Sequence, residues 1–138
     1  MNCTSHYLRC EGREIHFTEW GAGNQPVVIA WHGLARTGRD MDTLAGFLSS
    51  RYRVICPDTI GRGLSQWSPD PDREYCLDFY VQLATDLVDQ LGLQRFHWVG
   101  TSMGGALGEW VNDLAKDFNA SQKDYKIVPT FKGSYDES

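Results

Sequence analysis

The chain has 138 residues, 41% of them hydrophobic and 22% charged, with a net charge of −5. Such a length suits one ordinary domain, and such a balance excludes wholesale disorder. The negative charge comes without a basic cluster for nucleic acid or an anionic membrane, and no run approaches the roughly 18 apolar residues of a membrane span.

The opening "MNCTSHYLRCEGRE" is polar and lacks the apolar centre of a signal peptide, so a cytoplasmic location is expected. Cys3, Cys10, Cys56 and Cys76 form no CxxC pair and no zinc-like spacing with histidine. They are expected to be free thiols in a reducing compartment, and no metal or cofactor site is read.

"YLRC" (7–10) and "REIHFTEW" (13–20) alternate polar with apolar residues, as paired antiparallel strands do. Gly21, Gly23 and Asn24 break the pattern. "PVVIAW" (26–31) is a continuous apolar run, the mark of a strand buried on both faces. It ends in the loop "HGLARTGRD", after which Met41, Leu44, Ala45 and Leu48 predict a short helix.

"YRVICPD" (52–58) reads as a second central strand stopped by Pro57, and "TIGRGLSQWSPDPD" as a loop. Leu77, Tyr80, Val81, Ala84, Leu87, Val88 and Leu91 form one helical stripe, with Gly92 as its C-terminal cap. "RFHWVG" (95–100) is a third buried strand. The helical pattern resumes after Ser102 through Leu107, Trp110, Val111, Leu114 and Phe118, and "YKIVPTF" (125–131) is a further candidate strand. Alternating strands and helices predict right-handed crossovers and a mostly parallel sheet.

Gly100-Thr101-Ser102-Met103-Gly104 lies between the third buried strand and a helix, the context in which a GxSxG pattern makes a nucleophile elbow. The tight turn exposes the Ser102 hydroxyl, and Gly100 and Gly104 avoid collisions across it. The helix starting at Met103 aims free N–H groups at developing negative charge. After the first buried strand, His32-Gly33 lets the backbone turn so that the Leu34 N–H joins the Met103 N–H at one oxyanion. His32 itself is read as an organiser of that loop rather than a base.

These pieces together resemble the α/β-hydrolase family over about residues 7–108, through "HGLARTG" (32–38), "PDTIGRGLS" (57–65) and "GTSMGG" (100–105). The resemblance implies a serine hydrolase acting on an ester or related acyl bond of a small molecule. Ser102 is the implied nucleophile, the Leu34 and Met103 amides are the oxyanion donors, and Asp58 and Arg62 shape the site. The family draws its triad acid and then its histidine from beyond the serine. Here His6, His16, His32 and His97 all precede Ser102. The expectation is therefore an N-terminal part of the fold, truncated after the elbow and inactive alone, or else a non-catalytic fragment that depends on a partner chain.

The tail reads differently. "EWVNDLAKDFNASQKD" (109–124) is a one-sided surface helix. Residues 102–138 are similar to the N-terminal region of a periplasmic glycerol-3-phosphate-binding component of an ABC importer. Two readings stay open. One is a chimera joined within "SMGGALG" (102–108), with 1–108 from a hydrolase and 109–138 of binding-protein origin. The other is a divergent hydrolase helix. In either case "RFHWV" becomes an exposed sheet edge through which copies would associate, unless "YKIVPTF" covers it.

Overall fold

The computed structural model describes residues 3–24 and 26–119, from residue 113 onward by backbone only. Five strands form one sheet: β1 (Cys3–Cys10), β2 (Arg13–Trp20), β3 (Val27–Trp31), β4 (Arg53–Pro57) and β5 (Phe96–Gly100), in the order β1-β2-β4-β3-β5. β4, β3 and β5 run parallel, while β1 and β2 form an antiparallel hairpin on the β4 side. The first strand is longer than its apolar pattern, because all eight of its residues stay in register with β2.

β3 is buried along its whole length and sits between two parallel neighbours. Its side chains alternate between two cores. Val27, Ile29 and Trp31 join Ile15, Phe17, Ile55, Phe96 and Trp98 on one face, whereas Val28 and Ala30 join Trp20, Val54 and Cys56 on the other. The second face is covered by a 3-10 turn (Gly38–Met41) and α1 (Asp42–Leu48) through Met41 and Ala45. The first is covered by α3 (Leu77–Gln90) and α4 (Met103–Asn119).

The α3 stripe is the expected one widened by Leu83. Its end is a Schellman motif: Gly92 N–H donates to the Asp89 carbonyl (3.0 Å) and Leu93 N–H to the Val88 carbonyl (3.1 Å), with Gly92 at φ +68°. One turn of helix, α2 (Pro71–Glu74), interrupts the long loop that follows β4. Pro71 starts it with its φ already set for a helix, and Glu74 receives a two-pronged hydrogen bond from Arg13 on β2 (2.6 and 2.9 Å).

α4 continues unbroken from Met103 past Gly108, so the division expected at 108/109 falls inside one helix. Leu107 and Val111 are buried, but Trp110 is 47% exposed and does not belong to the packed stripe. β5 pairs with β3 alone among the described strands, and the expected strand at 125–131 lies outside the described residues. No helix of the described residues is long and apolar enough to cross a membrane.

This packing distinguishes the two sides of α4. Leu107→Ala is expected to lower unfolding free energy by about 2–5 kcal/mol, and Trp110→Ala by less than about 0.5 kcal/mol. Urea unfolding followed by circular dichroism measures both, and equal losses would mean that both faces are buried.

Candidate active site

β5 ends at Gly100, α4 begins at Met103, and Ser102 lies between them at φ +54°. Left-handed backbone is sparsely populated by residues with a side chain and costs on the order of 1–3 kcal/mol unless its surroundings enforce it. Here they do. Gly104 N–H donates to the Thr101 carbonyl (2.9 Å), Gly105 N–H to the Ser102 carbonyl (2.9 Å), and Thr101 N–H to the Trp31 carbonyl at the end of β3 (3.0 Å).

The two elbow glycines are required by close approach. A Cβ on Gly100 would overlap the Gly104 backbone, and one on Gly104 would overlap the Trp31 carbonyl. Beneath the turn, the Trp31 and Trp98 rings stack at 5.5 Å with only 6° between their planes. Trp98 Nε1–H donates to the Gly104 carbonyl (2.8 Å), and Trp31 Nε1–H donates to Thr59 Oγ1 (2.8 Å). The first turn of α4 carries no acidic side chain, so nothing local cancels the positive end of its dipole beside Ser102.

The loop after β3 comes up to the elbow. A Cβ on Gly33 would stand 3.9 Å from Ser102 Cβ, an ordinary contact, so Gly33 keeps the space before the serine clear without being forced by strain. His32 is fully buried. Its Nδ1–H donates to the Gly33 carbonyl (2.7 Å), and its Nε2 accepts from the Thr59 amide (3.0 Å). The Gly33 carbonyl and the Leu34 N–H belong to one trans peptide and point in opposite directions. Drawing the carbonyl onto His32 therefore turns the Leu34 N–H away from the buried ring. Arg36 N–H donates to the same carbonyl (3.2 Å), and Arg62 Nε–H to the Leu34 carbonyl (3.1 Å), so the loop is held on both sides.

Both nitrogens of His32 are thus engaged in holding the loop. His6 bonds Glu19 (2.8 Å), His16 bonds Asp58 (2.7 Å), and His97 meets the Tyr52 ring edge-on at 6.4 Å partway along β5. Asp58 is a structural junction. Its Oδ1 accepts from the Gly38 amide (2.6 Å), and its Oδ2 accepts from the Leu64 amide (3.0 Å) and from His16. Arg62 lies between the Tyr75 and Tyr80 rings and donates through Nη1 to Tyr80 Oη (2.9 Å). The roles of His16, Thr59 and the Arg62–Leu34 bond leave no trace in the sequence, since each joins residues at least 27 positions apart.

The four cysteines are unpaired, and burial pushes the Cys10 and Cys56 thiols up to about 12. Among the described residues no group of three or more His, Cys, Asp or Glu side chains is arranged to hold a metal.

A left-handed serine between a parallel strand and a helix N-terminus, with a second backbone loop beside it, defines an α/β protein with a tight strand–turn–helix elbow. The family model for the alpha/beta hydrolase fold matches residues 26–111, and the chain belongs to that family. It is 44% identical over 101 residues to a 3-hydroxybutyrate-oligomer hydrolase of Cupriavidus necator, covering 72% of this chain and 34% of that protein. An alpha/beta hydrolase of Novosphingobium aromaticivorans superposes with a TM-score of 0.76 at 32% identity, covering 91% of this chain and 43% of that one. The chain thus spans about a third to two fifths of the length of these relatives. A short match of 41 residues at 56% identity ties it to the sn-glycerol-3-phosphate-binding periplasmic protein UgpB of Brucella abortus, over 30% of this chain and 9% of that protein.

Two tests address how the elbow is held. Gly104→Ala, which forces a methyl group into the Trp31 carbonyl, is expected to cost about 1–3 kcal/mol or more; an unchanged melting temperature would mean that the approach is looser. Burial holds the His32 imidazole below its usual range, although its bond to Gly33 and the Asp58 charge act the other way. Its stabilising effect is full above the unfolded value of about 6.5 and is lost as pH falls through the lower folded value. Unfolding free energy should drop from about pH 7 to about pH 5, by at most about 1.4 kcal/mol per unit for this group. The His32→Asn variant should show a flatter profile over the same range.

Proposed function

We propose that this chain carries the nucleophile part of a serine hydrolase that cleaves an ester or related acyl bond of a small molecule. The observation that carries the reading is Ser102 at φ +54°, at the N-terminus of α4. In this reading Ser102 Oγ attacks the acyl carbon. The Leu34 and Met103 amides receive the oxyanion, each donor contributing about 3–4 kcal/mol of transition-state stabilisation. An acyl-Ser102 intermediate forms and water then releases the acid. The oligoester named for the Cupriavidus necator relative makes esters of hydroxy acids the first substrates to try.

The base and its acid partner are not assigned in this reading. No histidine follows Ser102 in this sequence, and His6 Nε2 and both nitrogens of His16 and His32 are taken by other groups. Loss of the base from such a triad costs a factor of about 10⁴–10⁶, so these 138 residues alone are proposed to be inactive. The UgpB match favours a second reading of the tail only, as sequence of binding-protein origin joined to a hydrolase front. A cytoplasmic setting in which the four cysteines stay reduced belongs to the same proposal.

Labelling with a fluorophosphonate, followed by peptide mapping, tests both halves. A folded chain with no adduct at Ser102 is expected, and an adduct there would show that a base is present after all. Joining residues 1–108 to the C-terminal portion of the Cupriavidus necator relative is expected to bring labelling and ester hydrolysis. Hydrolysis by that fusion that survives Ser102→Ala would remove Ser102 as the nucleophile.

A further inference from the structure

A second serine stands beside an imidazole that a carboxylate orients. On the hairpin, His16 is buried and the carboxylate of buried Asp58 faces its Nδ1 at 2.7 Å, while its Nε2 lies 2.9 Å from Ser5 Oγ. Ser5 is exposed on β1, an edge strand. The proton positions follow from the partners. Asp58 already accepts from the Gly38 and Leu64 amides, so its oxygen accepts from His16 Nδ1–H as well. Nε2 is then the nitrogen with the lone pair, and the Ser5 hydroxyl donates to it. The tautomer is fixed by one neighbour and the ring orientation by both. Ser65 Oγ steadies the assembly, accepting from the His16 amide (2.8 Å) and donating to the Asp58 carbonyl (2.7 Å).

From this chain of contacts we infer that Ser5 is a base-activated hydroxyl, a second site of covalent acyl or phosphonyl transfer distinct from the elbow. It would take activated acyl donors and organophosphorus electrophiles. With a fluorophosphonate, Ser5 Oγ bonds to phosphorus, the P–F bond breaks and fluoride leaves. The hydroxyl proton ends on His16 Nε2, giving an imidazolium opposite the Asp58 carboxylate. Ser5 stands in the middle of a strand with no helix N-terminus behind it, so the product is a stable stoichiometric adduct rather than a turnover intermediate. Two residues along the same strand face, the sulfur of Cys3 accepts from Arg39 Nη1–H (3.6 Å).

The inference does not depend on Ser102, and the experiment removes that residue. The Ser102→Ala chain is treated with the fluorophosphonate and mapped by mass spectrometry, folded and in denaturant. A single adduct on Ser5 is expected, formed about 10²-fold faster than on other exposed serines, absent from Ser102→Ala/Ser5→Ala and lost in denaturant. Ser5→Ala leaves His16 and Asp58 in place and sits on the surface, so its folding, checked by circular dichroism, is expected to be unchanged. A folded Ser102→Ala chain with no adduct on Ser5 would overturn the inference, and so would an adduct that forms equally in denaturant.

Discussion

The contact between the first turn of α4 and the end of β3 sets the geometry of everything around Ser102. Gly104 packs directly on the Trp31 carbonyl, so the helix axis starts within a backbone's width of the central strand. Only that approach lets the chain leave β5, pass through a left-handed serine and enter a helix within three residues. The strain at Ser102, on the order of 1–3 kcal/mol, is offset by the packing on either side. The stacked Trp31 and Trp98 rings support the turn from below, and the Trp98 indole fixes the Gly104 carbonyl. The serine's conformation is therefore a consequence of sheet and helix packing rather than of the serine's own preference.

A second junction ties the loops to that frame. Asp58 follows β4 and collects the Gly38 amide from the turn before α1, the Leu64 amide from the loop after β4, and His16 from β2. Through Arg62 the same loop reaches the Leu34 carbonyl. The peptide carrying the Leu34 N–H is thus held from below by His32 and from the side by Arg62, with Tyr75 and Tyr80 flanking the guanidinium. A loop tied at two adjacent carbonyls holds the direction of the Leu34 N–H between them.

Much of this was legible in the residues because it is local. The apolar run of β3, the stripe of α3 and its Gly92 cap, and the glycine spacing around Ser102 each express a constraint within a few residues, and each appears where the pattern puts it. What could not be read depends on partners distant in sequence. Periodicity assigns Trp110 to the stripe of Leu107 and Val111. How wide a stripe is buried depends on β5 and α3, and they cover only its centre. The His16–Asp58–Ser5 chain joins residues 42 and 11 positions apart, so alternation on β2 places His16 only on the polar face, opposite Ile15 and Phe17, and its burial comes from distant partners. α2 was hidden because a four-residue helix has no stripe, and its reason for existing is the bond from Arg13.

In the roles proposed for them, the two serines divide the requirements of acyl transfer. Ser102 has the field: a helix N-terminus, amides on a fixed loop and a strained, half-buried backbone, all supplied by main chain and inherited with the fold. Ser5 has the proton acceptor: an oriented imidazole backed by a carboxylate, supplied by side chains from β2 and the loop after β4. Field without base leaves a nucleophile mostly protonated, whereas base without field allows attack but stabilises the oxyanion poorly. Efficient turnover needs both at one oxygen. The geometry around Ser102 belongs to the packing of β3, β5 and α4. The backbone field and the proton acceptor are therefore separate physical requirements, met by different parts of a fold.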